Sequence, residues 1–348
     1  MKIQIVTFKF AYNYGAWLQM YALQTYLTGQ GYDVSVLNYV PAWSQKESHI
    51  GGVKPLIISA FATVRAKKFD RETKAYIRLS PLCSSAADAA KLPQPDVYIA
   101  GSDQIWNADI TDGYENVFFL NFPTTAQKLF YAASIGADVI DYETVSEIKK
   151  RLQNVNRISV REKELQSALA EHAEISSDLV LDPVFLPDKK QYDPLLKPCK
   201  DKDFVLIYQM QDDERCYTLA RRIAAEKGLS IIEIGKIKKR PGVTKTKVTV
   251  TQGEFLGYIL AASYIVTNSF HGTALSVKFG KQFYSVKLKM RQSRISSLLE
   301  KVGLEDRIVS DIEHLKIANI NYEIADQKVN QEIERSRSCL RQMIESCK

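Results

Sequence analysis

The segment 268–282 reads NSFHGTALSVKFGKQ and places one histidine, His271, between an apolar run and a helical pattern. The apolar run predicts a buried strand, and Asn268 or Ser269 can cap the helix that follows. Anions bind at helix amino termini because free N–H groups and the helix dipole point the same way, and Gly272 removes a side chain where a ligand can approach. An imidazole there can transfer a proton beside a bound phosphate or carboxylate. The alternative is that His271 satisfies a carbonyl in a turn.

A second candidate is Arg161 in the segment 157–164, RISVREKE. A predicted strand ending in Ser159-x-Arg161 places a forked, charged donor at the end of a sheet, which suits bidentate recognition of phosphate or carboxylate. The alternative is a surface arginine paired with Glu164. Further basic residues follow the predicted strand Gln282–Val286 and can complete an anion pocket: Lys287, Lys289, Arg291 and Arg294.

The segment 13–19, NYGAWLQ, follows the first predicted strand. It is not GxGxxG, and no acidic residue closes the second strand, so a dinucleotide cofactor is disfavoured. Asn13, Tyr14 and Gln19 can instead bond a polyhydroxyl ligand, with Gly15 allowing a tight turn. The alternative is a capped helix start with Trp17 in the core.

A second polar loop, 101–107 or GSDQIWN, follows the predicted strand Val97–Ala100. Its tryptophan can stack on a sugar ring while amides and a carboxylate hold hydroxyls. A polar loop that caps the next helix would look similar. The predicted ligand contacts are Gly101, Ser102, Asp103, Gln104, Trp106 and Asn107.

Composition limits the class of protein. The 348 residues include 45% hydrophobic and 25% charged residues, which predicts a globular chain of two domains. The net charge of +7 favours anionic partners, and its spread along the chain suits small phosphorylated or carboxylated ligands rather than requiring nucleic acid. Five scattered cysteines without a CxxC pair indicate neither a disulfide framework nor a zinc site.

The amino-terminal sequence MKIQIVTF already looks like a strand, with no signal-peptide pattern. No apolar run reaches the roughly 20 residues of a membrane span, so a cytoplasmic protein is expected. Pro55–Glu72 is apolar and then basic, which is compatible with peripheral contact with the inner face of a membrane. The alternative is an ordinary helix packed on the protein.

Predicted strands alternate with helices along nearly the whole chain, which is typical of parallel sheets covered by helices. The prediction is an α/β fold with two Rossmann-like domains facing a cleft. Pro-rich, charged sequence after Leu186 predicts a linker. The predicted domains are 1–185 on the acceptor side, 186–324 on the donor side, and a closing helix over 325–348.

Taken in order, NYGAWLQ, GSDQIWN, YAASIGA, ISVREKE, LDPVFLP and TNSFHGTALSVKFGKQF resemble the polysaccharide pyruvyl transferase family over nearly the whole chain. The resemblance implies a GT-B-like fold and transfer of pyruvate from phosphoenolpyruvate to sugar hydroxyls, usually as a cyclic ketal. It implies no cofactor and no metal. The acceptor would be a sugar or lipid-linked saccharide.

Site residues carried over from this resemblance are His271 as the catalytic histidine and Arg161 as a ligand for phosphoenolpyruvate. Many members carry arginine two residues before the histidine, whereas this chain carries Ser269, as in the branch that reads NSFHG. Arg291 or Arg294 would then supply the charge. The remaining predicted donor contacts are Ser159, Phe270, Gly272 and Thr273.

Two other functions fit the same fold. A glycosyltransferase using a nucleotide sugar would need an acidic residue on the ribose, for which Glu254 and Asp306 are candidates. A non-catalytic glycan-binding protein would keep the fold without the chemistry. Retention of His271 and Arg161 argues for an enzyme.

Overall fold

The computed structural model describes residues 1–9, 11–46, 56–288 and 292–347. Two parallel sheets, of seven and six strands, lie in two compact units of the chain. The predicted Arg291 and Lys289 lie outside the described residues. The α/β class predicted from the alternation of strands and helices is confirmed.

The first sheet has the strand order β3-β2-β1-β4-β5-β6-β7. Its strands are β1 (Lys2–Val6), β2 (Asp33–Tyr39), β3 (Leu79–Cys83), β4 (Val97–Ala100), β5 (Gln127–Ala133), β6 (Arg157–Val160) and β7 (Asp178–Leu179). The helices of this part of the chain are α1 (Tyr14–Gly29), α2 (Ala42–Lys46), α3 (Leu56–Tyr76), α4 (Ala86–Lys91), α5 (Tyr142–Arg151) and α6 (Lys163–Ala173).

The second sheet has the order β10-β9-β8-β11-β12-β13, the doubly wound arrangement of a Rossmann fold. Its strands are β8 (Phe204–Tyr208), β9 (Ser230–Ile234), β10 (Lys245–Lys247), β11 (Tyr264–Thr267), β12 (Gln282–Val286) and β13 (Ile308–Val309). The helices of this later part of the chain are α7 (Glu214–Lys227), α8 (Gln252–Ala261), α9 (Phe270–Lys278), α10 (Ser293–Val302) and α11 (Tyr322–Glu345).

Local sequence explains these elements. Every residue of β4, β8 and β11 is buried, as expected for central parallel strands covered on both faces. Helix α7 begins at Asp213, whose carboxylate accepts from the backbone of Arg215, and ends at Gly228 with φ +67°, a conformation that glycine adopts without strain. The observed burial of these strands and the caps of α7 therefore agree with the elements predicted from the hydrophobic pattern.

The first unit comprises Met1–Val53, Lys74–Pro187 and Glu332–Lys348, and the second Lys54–Thr73 and Asp188–Gln331. These units differ from the predicted domains, because most of α3 belongs to the second unit. There Glu72 is buried, forms an ion pair with Lys197 and accepts from the Gly253 N–H at 3.1 Å. The carboxyl-terminal end of Pro55–Glu72 is therefore held within the second unit, and membrane contact by this segment stays a prediction.

Helix α11 is likewise divided between the units at Glu332. Within the first unit, Ser336 Oγ accepts from the Leu181 N–H at 2.9 Å, and Arg337 Nε donates to the Leu186 carbonyl at 2.8 Å. The end of the chain is thereby fixed against the segment that follows β7. No helix among the described residues is long and apolar enough to cross a membrane.

Candidate functional site

Polar side chains collect where the strands of the first sheet end. Ser102 follows β4, Ser134 follows β5, Arg161 follows β6 and Asp182 lies shortly after β7. Parallel strands have their carboxyl ends at one edge, so these four residues meet although they are far apart in sequence. All four are buried.

Arg161 is the centre of this cluster. Its Nη1 forms an ion pair with Asp182 and donates to Ser102 Oγ at 3.2 Å, while Nη2 donates to Ser134 Oγ at 3.0 Å. Ser102 Oγ also donates to the Asp182 carboxylate at 3.0 Å. Arg161 is therefore not the exposed surface arginine of the alternative interpretation.

Three carboxylates surround the single guanidinium. Asp103 Oδ1 lies 4.0 Å from Arg161 Nη2, and the buried Glu162 accepts from Ser134 Oγ and from the Gly136 N–H at 3.3 Å. Burial lowers the pKa of Arg161, but Asp182, Glu162 and Asp103 together raise it above its usual value. A donor phosphate at Arg161 must therefore compete with Asp182.

Ser159, predicted to contact the donor, lies inside the sheet. Its Oγ donates to the Phe130 carbonyl at 3.2 Å and accepts from the Ala132 N–H at 3.1 Å. The register between β5 and β6 is irregular here, and Ala132 has φ +53°. The hydroxyl replaces ladder hydrogen bonds at this irregularity, so the predicted donor contact of Ser159 is wrong.

The segment 13–19 matches the alternative interpretation. Asn13 caps α1 by accepting from the N–H groups of Gly15 and Ala16 at 2.8 and 3.1 Å. Tyr14 and Gly15 are buried, and Gln19 is buried and donates to Thr7 Oγ1 at 2.9 Å. Thr7 in turn donates to the Ser102 carbonyl at 3.1 Å. The predicted sugar contacts of Tyr14, Gly15 and Gln19 are wrong because all three residues are buried, and Gln19 is linked through Thr7 to the loop at Ser102.

The prediction that Trp106 stacks on a sugar is also wrong. Its side chain is fully buried, with its ring parallel to that of Phe119 at a centroid distance of 5.7 Å and tilted against Phe130 at 5.1 Å. Loop 101–107 turns its indole into the core, leaving no ring face for a ligand. Its apolar surface contributes to packing.

The rest of that loop is tightly held. Asn107 Nδ2 donates to the Ile135 carbonyl at 2.7 Å and to Gln104 Oε1 at 3.1 Å. A Cβ at Gly101, which has φ +110°, would lie 2.3 Å from the Tyr131 carbonyl oxygen. Gly101 and Asn107 therefore shape the loop, whereas Gln104 is half-buried and Asp103 is buried at 8% exposure.

In the second unit, His271 lies in the first turn of α9, directly after β11. Ser269 is the N-cap, and its Oγ accepts from the Gly272 N–H at 3.3 Å. The His271 side chain is mostly buried and packs edge to face against Phe270, with a centroid distance of 5.1 Å. A helix amino terminus at the end of a parallel strand is the position where this fold class binds anions.

Hydrogen bonds fix the backbone on which His271 stands. Asn268 Oδ1 accepts from the Met210 N–H at 2.8 Å, and its Nδ2 donates to the Gln211 carbonyl at 2.7 Å. Thr273 Oγ1 lies 3.1 Å from the Ser269 carbonyl and 3.2 Å from Ser285 Oγ. These bonds tie the ends of β8, β11 and β12 together, so the first turn of α9 is held in place before any ligand binds.

Gly272 has a packing role. A Cβ there would lie 2.3 Å from Thr267 Oγ1 and 3.2 Å from the Tyr208 ring, so only glycine lets α9 approach β11 this closely. The space beside Gly272, which was predicted to admit a ligand, is filled by the contact of α9 with Thr267 and Tyr208. Arg294, one of the predicted donor contacts, lies near the start of α9: its guanidinium carbon is 5.7 Å from the centroid of the Phe270 ring.

The structure also reveals a buried acid that the sequence interpretation missed. Glu233, near the end of β9, accepts from Tyr217 Oη at 2.6 Å and from Gln209 Nε2 at 3.4 Å. Burial raises the pKa of Glu233, against the lowering effect of these two hydrogen bonds. Its signal in the sequence was an acid inside an otherwise apolar strand, SIIEI.

The two acids considered for a ribose have other roles. Glu254 forms a capping box with Thr251 at the start of α8, with bonds of 2.6 and 3.2 Å. Asp306 is exposed and pairs with Arg307 at 2.7 Å. Among the described residues, no group of three or more His, Cys, Asp or Glu side chains is arranged to hold a metal ion.

Comparison with known proteins agrees with this architecture. A family model described as polysaccharide pyruvyl transferase matches residues 13–288. The fold is similar to an enzyme described as a UDP-N-acetylglucosamine 2-epimerase from Listeria monocytogenes, with a TM-score of 0.52 and 8% identity over 97% of this chain and 89% of that chain. It is also similar to an alpha-glucosyltransferase in complex with UDP-glucose and DNA, with a TM-score of 0.50 and 10% identity over 100% and 99%. No curated protein matches the sequence significantly.

Proposed function

Because the chain belongs to the polysaccharide pyruvyl transferase family, we propose that it transfers pyruvate from phosphoenolpyruvate to hydroxyls of a sugar. The sugar belongs to a cell-surface polysaccharide or to its free or lipid-linked precursor. The product is a ketal, and phosphate is released. Membership of the family supports the transferase class, and the identity of the donor is the proposal.

The observation that carries this proposal is the position of His271. An imidazole in the first turn of α9 lies beside backbone N–H groups that attract a phosphate or carboxylate, and Ser269 and Thr273 fix that turn. The chain therefore has a proton-transfer group next to an anion-binding helix end. Phosphoenolpyruvate carries both anionic groups on one small enol.

The proposed reaction begins with proton transfer to the methylene carbon of phosphoenolpyruvate, which generates an oxocarbenium-like centre. A sugar hydroxyl adds to this centre, which is the phosphate-bearing carbon, and loses its proton. The C–O bond to phosphate then breaks, and phosphate leaves with the electron pair. A second hydroxyl adds to the same carbon and loses its proton, which closes the ketal. His271 acts as general acid or base, a role that contributes roughly 10²- to 10⁴-fold in rate.

In the proposed reaction, Arg161 positions the loops that it contacts. Its bonds to Ser102, Ser134 and Asp182 fix the carboxyl-end loops of the first sheet. Direct contact with phosphoenolpyruvate, which the family resemblance implies, requires the guanidinium to exchange a carboxylate for the donor. Gln104 is half-buried, Asp103 is buried at 8% exposure, and these two residues are the proposed acceptor contacts of loop 101–107.

The test is incubation of the protein with phosphoenolpyruvate and a panel of saccharide acceptors, followed by phosphate assay and mass spectrometry. The expected result is phosphate release with an acceptor whose mass increases by phosphoenolpyruvate less one phosphoric acid. His271→Ala is expected to lose turnover while keeping its circular dichroism spectrum. His314→Ala is the matched control because this histidine side chain is 85% exposed. Full turnover by His271→Ala would remove the histidine from the mechanism.

A further inference from the structure

A cavity of about 510 Å³ lies in the second unit, where the linker after residue 196, strand β10 and the start of α8 meet. Its volume falls within the range of about 300 to 1,000 Å³ that small-molecule sites occupy. None of the predicted donor or acceptor residues lines it. Five lysines do: Lys68, Lys197, Lys200, Lys245 and Lys247.

The wall formed by the linker is built to lie close to α8. A Cβ at Gly253 would be 2.2 Å from the Leu195 carbonyl oxygen, and one at Gly257 would be 2.0 Å from the Lys197 carbonyl oxygen. The Lys197 N–H donates to the Gly253 carbonyl at 3.2 Å. Two glycines one helical turn apart therefore let the linker backbone rest on the helix, which fixes this wall of the cavity.

Three of the lysines have acidic partners. Lys245 pairs with Asp201, and Lys197 pairs with the buried Glu72. Lys68 Nζ lies 4.0 Å from Glu254 and donates to the Thr249 carbonyl at 2.8 Å. These pairs orient three ammonium groups around the cavity but cancel their charge.

The other two lysines have no carboxylate of their own, although Lys247, like Lys245, lowers the pKa of Asp201. Among the described residues, neither Lys200 nor Lys247 lies within ion-pair distance of a carboxylate. Lys247 Nζ instead lies 5.7 Å from the centroid of the Tyr258 ring, and Tyr258 Oη donates to Asp201 at 3.2 Å. Among these residues, the five lysines and the three carboxylates of Glu72, Asp201 and Glu254 have a net charge of +2.

We propose that this lysine-lined cavity binds the phosphate group of a small phosphate monoester. Such a group carries close to two negative charges at neutral pH, which matches the two unbalanced lysines. Lysine ammonium groups bind phosphate as point charges, and a partly enclosed site screens that attraction less than open solvent does. The inference concerns a site distinct from His271 and does not depend on the proposed reaction.

The test is calorimetric titration of glucose 1-phosphate into the full-length protein, with glucose and sulfate as comparison ligands. Saturable binding of glucose 1-phosphate and no binding of glucose are expected. Lys200→Gln/Lys247→Gln is expected to weaken binding about tenfold or more, the loss of one or two charge-assisted hydrogen bonds. Lys238→Gln/Lys239→Gln removes the same charge from exposed lysines outside the cavity and should change the affinity little.

Several results would overturn the proposal. They are absence of binding, equal weakening by the two double variants, and sulfate binding as tightly as glucose 1-phosphate. His271→Ala should bind glucose 1-phosphate as the wild type does. Loss of binding in His271→Ala would assign the ligand to that helix end instead, whatever the outcome for pyruvate transfer.

Discussion

Arg161 and Asp182 form an ion pair in which both side chains are almost completely buried, at 2% and 0% exposure. The partners lie on segments that follow β6 and β7, and Ser102 bonds to both of them. A buried pair of this kind contributes more through the cost of losing one partner than through its net attraction. The pair is thus a structural support for the edge of the sheet where the predicted site lies.

Asp182→Ala is expected to lower the free energy of unfolding by about 3–5 kcal/mol, because it leaves the Arg161 charge buried without its closest carboxylate. Denaturant unfolding monitored by circular dichroism measures this change. The control in the same unit is Asp178→Ala, since Asp178 pairs with Arg157 at 3.1 Å in an exposed position. That change should cost less than about 1 kcal/mol. Equal losses in the two variants would contradict the supporting role.

Trp106→Phe is expected to leave the Michaelis constant for the saccharide acceptor unchanged, because the indole packs on Phe119 and Phe130 rather than facing a ligand. Trp106→Ala should cost about 3–5 kcal/mol of stability through the cavity it creates. Steady-state kinetics and denaturant unfolding measure the two effects. A raised acceptor Michaelis constant in a fully stable Trp106→Phe would restore the sugar-stacking interpretation.

Gly272→Ala is expected to destabilise the protein by about 1–3 kcal/mol, since the new methyl group meets Thr267 Oγ1. Thr267→Ala removes that oxygen, so the double variant should lose less stability than the two single losses together. A double-mutant cycle of unfolding free energies measures this coupling. Additive losses would contradict the contact between Gly272 and Thr267. Weaker phosphoenolpyruvate binding with unchanged stability would mean that Gly272 serves the ligand instead.

Glu233→Gln is expected to change how stability depends on pH. Burial raises the folded-state pKa of Glu233 above the usual glutamate value of about 4.3, so the folded state binds the extra proton more tightly than the unfolded state. The stabilisation from this group is complete below about 4.3 and is lost as pH rises through the raised value. Unfolding midpoints of the wild type and Glu233→Gln should therefore agree near pH 4 and favour Glu233→Gln near pH 8. A difference independent of pH would contradict this.

Strands bounded by turn residues could be predicted from sequence because their apolar runs are short and clear. Asp33–Tyr39, Val97–Ala100 and Tyr264–Thr267 have the same limits in the sequence prediction and in the structure. Helix α3 was not resolved by the sequence prediction, since its apolar and basic halves fit both a surface helix and a membrane contact. The hydrophobic period and the turn residues therefore predict the limits of strands well, but they do not predict what an element packs against.

The candidate site was predictable only in part. The position of His271 after a strand follows from local pattern, whereas the contact of Arg161 with Asp182 depends on which strands are neighbours in the sheet. Trp106 was misassigned because polar neighbours in sequence do not reveal that the chain turns the ring inward. Glu233 was missed because an acid within an apolar strand has no distinctive spacing.

The central claim is that phosphoenolpyruvate is the donor. The most direct measurement is calorimetric titration of phosphoenolpyruvate and of nucleotide sugars into the Lys200→Gln/Lys247→Gln variant, so that the lysine-lined cavity makes little contribution. The account predicts saturable binding of phosphoenolpyruvate and none of the nucleotide sugars. Saturable binding of a nucleotide sugar without binding of phosphoenolpyruvate would contradict it and indicate a glycosyltransferase.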